Sequence, residues 1–337
     1  MKSSGYAVVI AWLAPLALAF TLFWPAALWA ERIPVTAAPI YLNPENIHLR
    51  QVGELEFLAG FRLSSGDPRF GGWSGLSLAP DGRSVLMVSD TGNWLTARFR
   101  LDAEGRLQGL DDADIHRLTG ADGRPLSDNK LVSDSEAVER AADGALLVSF
   151  ERRHRILRYP PGPQGLAATP RPLALPKAVA EMPPNGGFEA IAPLPDGRVL
   201  ALSEKLKDAN GDNIGWLLAP DGRADEVRFE ATGIFSPTDA TALPNGDVLV
   251  VERRYSPIGG PGARLVWLRA ADLHPGARFT GHELMQLALP FSVDNEEGLA
   301  MAPAPGGGWL IYLISDDNFN ALQRTLLMQF RWDGPQS

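Results

Sequence analysis

Residues 73–90 read Trp-Ser-Gly-Leu-Ser-Leu-Ala-Pro-Asp-Gly-Arg-Ser-Val-Leu-Met-Val-Ser-Asp. Two runs rich in β-forming residues flank the pair Asp81-Gly82, where the backbone must adopt positive φ angles that glycine reaches at low cost. The stretch therefore predicts a β-hairpin, with a structural role for the Asp-Gly pair.

The same hairpin pattern occurs four more times along the chain, at an average interval of about 56 residues. The further copies span 135–151, 188–204, 237–252 and 296–316, and their turn pairs are Asp143-Gly144, Asp196-Gly197 and Asn245-Gly246, the last copy lacking such a pair. Self-similarity at this period is typical of repeat architectures in which each copy is one supersecondary unit.

Two further strand-like runs follow most hairpins, as at 94–101 and 113–118 after the first. Four strands per repeat is the unit of a β-propeller blade, so the sequence predicts an all-β chain forming a single propeller of four-stranded antiparallel blades. The repeat count favours five blades, and a sixth, degenerate blade within 109–134 stays open. The last repeat ends after its third strand, 325–331, so we expect the N-terminal strand at 54–63 to complete that blade and close the ring.

Composition excludes several other classes of protein. The chain has 337 residues, of which 45% are hydrophobic and 21% charged, and it contains no Cys. These values exclude a disordered chain and a disulfide-stapled scaffold. The net charge of −9 disfavours a nucleic-acid partner, because phosphates would be repelled. We expect a monomer.

The N-terminus predicts where the protein works. An uncharged apolar run covers residues 6–30 and ends in Ala-Ala-Leu-Trp-Ala before Glu31, as an export signal does. Cleavage is the favoured reading, and an uncleaved membrane anchor is the alternative because the run is long enough to cross a bilayer. Both readings give a periplasmic or secreted protein. We divide the chain into 1–30 (signal or anchor), 31–50 (linker), 51–332 (propeller domain) and 333–337 (tail).

Aligning the repeats reveals two columns of acidic residues that a propeller would bring together, because equivalent positions converge on the central channel. The first column begins each hairpin and contains Glu136, Glu189, Asp239 (offset by one from Thr238) and Glu297, with Ser74 as the non-acidic member. The second column ends each hairpin and contains Asp90, Glu151, Glu204, Glu252 and Asp316.

Carboxylates gathered around one axis need cations to neutralise them. Oxygen-only ligand sets favour Ca²⁺ or Mg²⁺, and the predicted metal ligands are Asp90, Glu136, Glu189, Asp239, Glu297 and Asp316. Basic residues follow the second column, and a metal beside them would be suited to holding a phosphate; the candidates are Arg153, Lys205, Arg253 and Arg254. The alternative, that these Glu-Arg pairs are salt bridges between blades with no ligand, stays open.

Other motifs add little. Asp208, Asn210 and Asp212 form a D-x-N-x-D run, but it departs from a calcium-binding EF-hand loop, so a polar hairpin loop is favoured. The sequence has no G-x-S-x-G, H-E-x-x-H or Walker motif, which disfavours serine-triad and zinc hydrolysis.

A series of short motifs resembles the phytase-like family of bacterial proteins, described by "esterase-like activity of phytase". The motifs are Gly-Gly-Trp-Ser-Gly-Leu76, Val-Ser-Asp-Thr-Gly92, Asp134-Ser-Glu-Ala-Val-Glu139, Phe-Glu-Arg-Arg153, Gly187-Phe-Glu-Ala190, Ser236-Pro-Thr-Asp239, Val-Glu-Arg-Arg254 and Asp294-Asn-Glu-Glu-Gly298. Their order and spacing match over residues 50–332.

The resemblance implies a calcium-supported hydrolase of phosphate esters or other esters, acting on an anionic small molecule at the propeller funnel. The acidic funnel residues would be Glu136, Glu189, Asp239 and Glu297, with Arg153, Arg253 or Arg254 holding phosphate. We take Glu136 and Glu189 as the candidate catalytic residues. The rival hypothesis is a non-catalytic propeller that uses the same funnel for ligand or protein recognition.

Overall fold

The computed structural model describes residues 31–335, so the predicted export segment 6–30 lies outside the described residues. The described strands are β1 (Glu31–Arg32), β2 (Val35–Pro39), β3 (Gln51–Val52), β4 (Leu55–Ser65), β5 (Trp73–Leu78), β6 (Ser84–Ser89), β7 (Asn93–Leu101), β8 (Leu107–Arg117), β9 (Ser135–Arg140), β10 (Leu146–Phe150), β11 (Arg155–Tyr159), β12 (Arg171–Pro172), β13 (Phe188–Pro193), β14 (Val199–Lys207), β15 (Asn213–Leu218), β16 (Ala224–Phe229), β17 (Ser236–Ala242), β18 (Val248–Ser256), β19 (Gly260–Leu268), β20 (Arg278–Phe279), β21 (His282–Ala288), β22 (Glu296–Pro303), β23 (Trp309–Ser315) and β24 (Thr325–Trp332). The helical segments are α1 (Lys130–Ser133) and the 3₁₀ turns Gly165–Ala167, Lys177–Glu181 and Ala270–Asp272. Among these residues no helix is both long and apolar enough to span a bilayer.

The strands form five sheets, each one blade of a β-propeller. From the channel outward the blades are β5-β6-β7-β8, β9-β10-β11-β12, β13-β14-β15-β16, β17-β18-β19-β21 and β22-β23-β24-β4. The short strands β1, β20 and β2 extend the first, third and fifth blades at their outer edges, and β3 also pairs with β4. The predicted five-bladed architecture is confirmed. Residues 109–134 add no sixth blade, because they form most of β8, a loop and α1.

The ring closes as the repeat pattern predicts. Strand β4 pairs antiparallel with β24, from Thr325 opposite Leu63 to Arg331 opposite Glu56, so the last blade combines both ends of the described chain. Closure leaves no open array of blades whose edge strands could pair with another molecule.

The Asp-Gly and Asn-Gly pairs lie in the turns between the first two strands of four blades, as expected. Gly82, Gly144, Gly197 and Gly246 have φ values of 64°, 82°, 88° and 90°. In the first turn the Asp81 carboxylate also accepts the N–H groups of Arg83 and Ser84, so both residues of the pair shape the hairpin.

The apolar core lies between the blades. Five clusters of buried side chains each join two neighbouring blades, because the inner strands are apolar on both faces and bury both of them. In the cluster between the last and first blades, for example, Tyr312 stacks on Phe99 at 4.7 Å. This packing holds the five innermost strands side by side around the channel.

Residues 31–50 differ from the predicted linker. Strand β2 pairs with β4 along its whole length, and β1 pairs with β8, so this segment covers the outer edges of two blades. Hydrogen bonding to those exposed edges outweighs the weak strand signal of so short and Pro-rich a segment.

Candidate functional site

A one-residue β-bulge interrupts the innermost strand of each blade at the same place. The pairing between the first two strands shifts beside Ser74, Glu136, Glu189, Thr238 and Glu297. A bulge leaves one residue out of the ladder and redirects its side chain. The repeated bulge therefore explains how equivalent residues from different blades face one channel mouth.

The second column is fixed by the residue just before each bulge. That residue lies opposite Ser89, Phe150, Ser203, Glu252 or Ser315, so the next residues of the second strands are the equivalent ones: Asp90, Glu151, Glu204, Arg253 and Asp316. Four are acidic and the fourth blade contributes Arg253. The expected member Glu252 lies one residue away and forms a buried ion pair with Arg264 at 2.5 Å.

Asp239 also falls outside its expected column, because Thr238 takes the bulge position in the fourth blade. One oxygen of its fully buried carboxylate accepts the N–H of Ala240 and the other that of Leu299, each at 2.8 Å. Burial raises the pKa of Asp239 well above its usual value, and the neighbouring Glu139 raises it further. Both oxygens already have backbone donors, so we exclude Asp239 from the candidate metal ligands.

The remaining carboxylates gather at one end of the channel. This acidic centre consists of Asp90, Asp134, Glu136, Glu151, Glu189, Glu204, Glu297 and Asp316, drawn from four blades and the loops beside them. Ligand oxygens of Asp134, Glu136 and Glu151 lie within 4.8 Å of one another, as do those of Glu151, Glu189 and Glu204. The two triads share Glu151.

Four cationic side chains oppose these eight acids. The Arg253 guanidinium lies 3.2 Å from Glu297, 3.4 Å from Glu204 and 3.9 Å from Glu189. Lys130 pairs with Asp90 at 2.6 Å, and Lys205 with Glu204 at 2.8 Å.

Arg152 forms a further ion pair with Asp134. With every group ionised, four negative charges would remain without a counter-charge in a largely buried site.

The pKa shifts report the same excess of negative charge. Burial raises the pKa of Glu136 well above its usual value, and the charges of Glu151 and Glu297 raise it further. The pKa of Glu189 is raised for the same reasons, by burial and then by Glu204, against the opposing effect of Arg253. The pKa of Glu204 is lowered instead. Burial raises it, but Arg253, Lys205 and a hydrogen bond with Glu189 together outweigh that effect.

The donor set fits a hard divalent cation. All candidate ligands are carboxylate oxygens, which Ca²⁺ and Mg²⁺ prefer. Asp90 Oδ1 is buried and has no hydrogen-bond partner among the described residues, an arrangement that costs free energy unless a cation or a proton compensates it. The fit therefore stands on an unsatisfied oxygen as well as on the two triads.

Several residues of the site were not singled out from the sequence. Asp134 precedes β9 by one residue, and Lys130 lies in α1, where no repeat marks them. The N–H groups of Gly186 and Gly187 both donate to Glu151 Oε1, at 2.7 Å for Gly187. Their position just before β13 is a signal that could have identified them, because the corresponding Gly72 precedes β5.

The predicted phosphate-binding cations are separated by the fold. Arg153 is exposed on the turn between β10 and β11, whereas Lys205 and Arg253 pair with acids of the centre. Arg253 and Arg254 line a cavity of about 750 Å³ beside the acidic centre, together with Glu297, Asn295 and Arg324. A molecule in this cavity would touch the centre and these cations at once.

The D-x-N-x-D run forms a polar turn between β14 and β15, the reading that its sequence favours. Asp208 accepts the N–H groups of Asn210 and Asp212, and Asp212 is bound by Arg278 at 2.6 Å. The carboxylates of Asp208 and Asp212 therefore already have hydrogen-bond or ion-pair partners within the protein.

Comparison with known proteins gives a family. A family model described as "Phytase-like: Esterase-like activity of phytase" matches residues 68–319, which include the whole acidic centre. No curated protein matches the chain in sequence.

Similar solved structures have low identity. One is a protein with a provisional gluconolactonase assignment, at 12% identity, covering 90% of this chain and 96% of that one, with a TM-score of 0.46. Virginiamycin B lyase from Staphylococcus aureus has 10% identity, covers 83% and 81%, and scores 0.39. The aldose sugar dehydrogenase from Streptomyces coelicolor has 12% identity, covers 89% and 99%, and scores 0.40. At these values none of them bears on the chemistry of this chain.

Proposed function

The chain belongs to the phytase-like family, and from this premise we propose that it is an exported, cation-dependent hydrolase of phosphate esters. One observation carries the proposal: the acidic centre collects eight carboxyl groups against four cations at one channel mouth. Repulsion among buried like charges is costly unless a ligand relieves it, so a stable arrangement of this kind favours a bound cation.

The two triads would hold the cation, with Glu151 common to both and Glu136, Glu189, Glu204 and Asp134 as its neighbours. The predicted ligands Asp90, Glu297 and Asp316 stay part of the proposal because they border the triads. When bound, a Ca²⁺ ion would neutralise the carboxylates and stabilise the charge that develops on a phosphoryl group.

The chain's own side chains would complete the site. Arg253 and Arg254 face the cavity in which the ester would lie, and Lys205 stands beside Glu204. Burial and neighbouring carboxylates raise the pKa values of Glu136 and Glu189, so these two side chains would serve as general acid or base.

Turnover of p-nitrophenyl phosphate, bis-p-nitrophenyl phosphate and p-nitrophenyl acetate, each with Ca²⁺ or with EDTA, tests the proposal. We expect calcium-dependent release from a phosphate ester, and Glu189→Gln should lower kcat/KM at least about 100-fold. Glu104→Gln, at an exposed position in the turn between β7 and β8, is the control and should keep wild-type activity.

Calorimetry with Ca²⁺ separates the two parts of the proposal. Calcium binding without turnover of any of the three esters would contradict the hydrolase and support the ligand-binding module instead. Full activity in EDTA would contradict the proposed dependence of hydrolysis on a divalent cation.

Export is proposed on the apolar run at residues 6–30. Fractionation of expressing cells should place the protein in the periplasm, the medium or the membrane fraction. N-terminal sequencing then distinguishes a cleaved signal from an anchor, and recovery in the cytoplasm would contradict export.

A further inference from the structure

The cavity beside the acidic centre has an exposed apolar rim. Tyr255, Leu289 and Leu322 line it, and their exposed fractions are 71%, 65% and 90%. Ile258, at the turn between β18 and β19, is also fully exposed, although it does not line the cavity. Leu289 follows β21 and lies close to Gly260, which begins β19. The loop after β21 and the β18–β19 hairpin therefore meet at this edge of the cavity.

Three arginines and two acids line the interior of the same cavity: Arg253, Arg254 and Arg324, with Asp294 and Glu297. Arg253 and Arg324 are already paired with acids, Arg324 with Asp294 at 3.1 Å. Arg254 has no acidic partner among residues 31–335; its guanidinium instead lies 5.4 Å from the ring of Phe235. Arg254 is therefore the charge in the cavity that is available to an anion.

A polar, highly charged ester would leave the apolar rim in water. Exposed apolar side chains that border a cavity typically mark a binding surface, whereas singly scattered ones need no explanation. Here the rim adjoins an unpaired guanidinium and opens toward the acidic centre. The combination matches a ligand with an anionic head and an apolar chain.

We propose that this cavity binds an anionic amphiphile, with the head group at Arg254, beside the paired Arg253, and an alkyl or aryl chain across Tyr255, Leu289 and Leu322. The inference rests on the proposed function for the head-group chemistry, and it names the substrate class. A soluble alkyl phosphate and a phosphate-headed lipid present the same chemistry to this surface.

Calorimetry with monomeric alkyl phosphates tests the inference without requiring turnover. Transfer of methylenes from water to an apolar surface predicts that octyl phosphate binds at least about tenfold more tightly than butyl phosphate. Equal dissociation constants for octyl and butyl phosphate would overturn the proposed site for the ligand's apolar chain. This result would leave the proposed hydrolase function untouched, because its test uses short aryl esters.

Variants locate the chain. Leu322→Ser and Leu289→Ser alter exposed side chains of the cavity rim whose replacement should leave folding intact, and each should reduce the octyl-to-butyl affinity ratio about threefold or more. Ile47→Ser makes an equivalent apolar-to-serine change at an exposed residue that does not line the cavity, and it should keep the ratio. Arg254→Gln should weaken the binding of both ligands to a similar extent, since it removes the positive charge that contacts their common phosphate head group. An unchanged ratio in both rim variants would overturn the assignment.

Co-sedimentation with vesicles of phosphatidylcholine alone, or with added phosphatidate, distinguishes the two sources. Binding to phosphatidate vesicles that Arg254→Gln abolishes supports a lipid ligand, and chain-length dependence without vesicle binding supports a soluble one. Equal binding to both vesicle types, together with no dependence on chain length, would contradict the proposal.

Discussion

Arg253 occupies in the fourth blade the position that a carboxylate takes in the other four, and it contacts three acids of the centre. Removing one partner of a buried ion pair leaves the other charge uncompensated. We predict that Arg253→Gln lowers the free energy of unfolding by about 3–5 kcal/mol at neutral pH, and that added Ca²⁺ restores part of this loss. Chemical denaturation with and without calcium measures both.

Arg62→Gln, at an exposed position of β4, is the matched control and should change the free energy of unfolding by less than about 0.5 kcal/mol. Equal stability of the Arg253 variant and the wild type would show that the acids do not depend on this guanidinium.

Glu139 is a second buried acid on β9, close to Asp239 and apart from the acidic centre. Burial raises the pKa of Glu139 to about 8, against the lowering effect of the Thr241 hydroxyl. Its pKa in the unfolded chain is near 4.5, so the folded state holds a proton that the unfolded state has lost between these two values. Its contribution to stability is therefore present at low pH and is lost as the pH rises toward 8.

Glu139→Gln should remove this dependence, because the amide is neutral at every pH. Between about pH 5 and pH 8.5, we expect the free energy of unfolding of the wild type to fall by about 2–4 kcal/mol more than that of the variant. Denaturant titrations at the two pH values measure the difference, and parallel behaviour of the two proteins would contradict the buried, protonated state.

At the level of the strands, neighbouring innermost strands approach closely beside the bulge. A Cβ atom on Gly75 would lie 2.7 Å from the backbone nitrogen of Val138 and 3.0 Å from Ala137, in the next blade. We predict that Gly75→Ala lowers the free energy of unfolding by about 1–3 kcal/mol, because backbone atoms cannot move aside as a flexible side chain can. Thermal unfolding measures the effect.

Gly66→Ala is the control for Gly75, since a Cβ there meets no atom within 4 Å. If both alanine variants melt with the wild type, the strands around the channel are less closely packed than the structure indicates.

The register of the strands also determines how much of the fold and of the site the sequence could predict. Turn pairs and strand runs repeat, so hairpins, blade number and ring closure follow from local patterns alone. The side-chain columns follow only in part, because in the fourth blade acids one residue away from the repeat register were assigned to the channel. The register itself gives Thr238 and Arg253, whereas Asp239 and Glu252 are buried with other partners. Asp134 and Lys130 lie in a loop and a short helix whose approach to the centre depends on the whole ring.

For the molecule as a whole, stability depends on pairing between its two ends. Glu56 in β4 lies opposite Arg331 in β24, about 275 residues later, and this pairing closes the propeller. The chain contains no Cys, so a disulfide engineered here has no competing thiol. A cross-link restricts the unfolded chain more when the loop it closes is longer.

We predict that the disulfide formed by Glu56→Cys with Arg331→Cys raises the free energy of unfolding by about 3–5 kcal/mol over the reduced form of the same variant. A disulfide within one hairpin, from Ser84→Cys with Arg98→Cys, closes a loop of about 13 residues and should add about 2 kcal/mol less. Comparing oxidised with reduced protein cancels the cost of the lost side chains. If the two disulfides stabilise equally, the blades unfold independently, and the acidic centre that spans four of them could not owe its geometry to a closed ring.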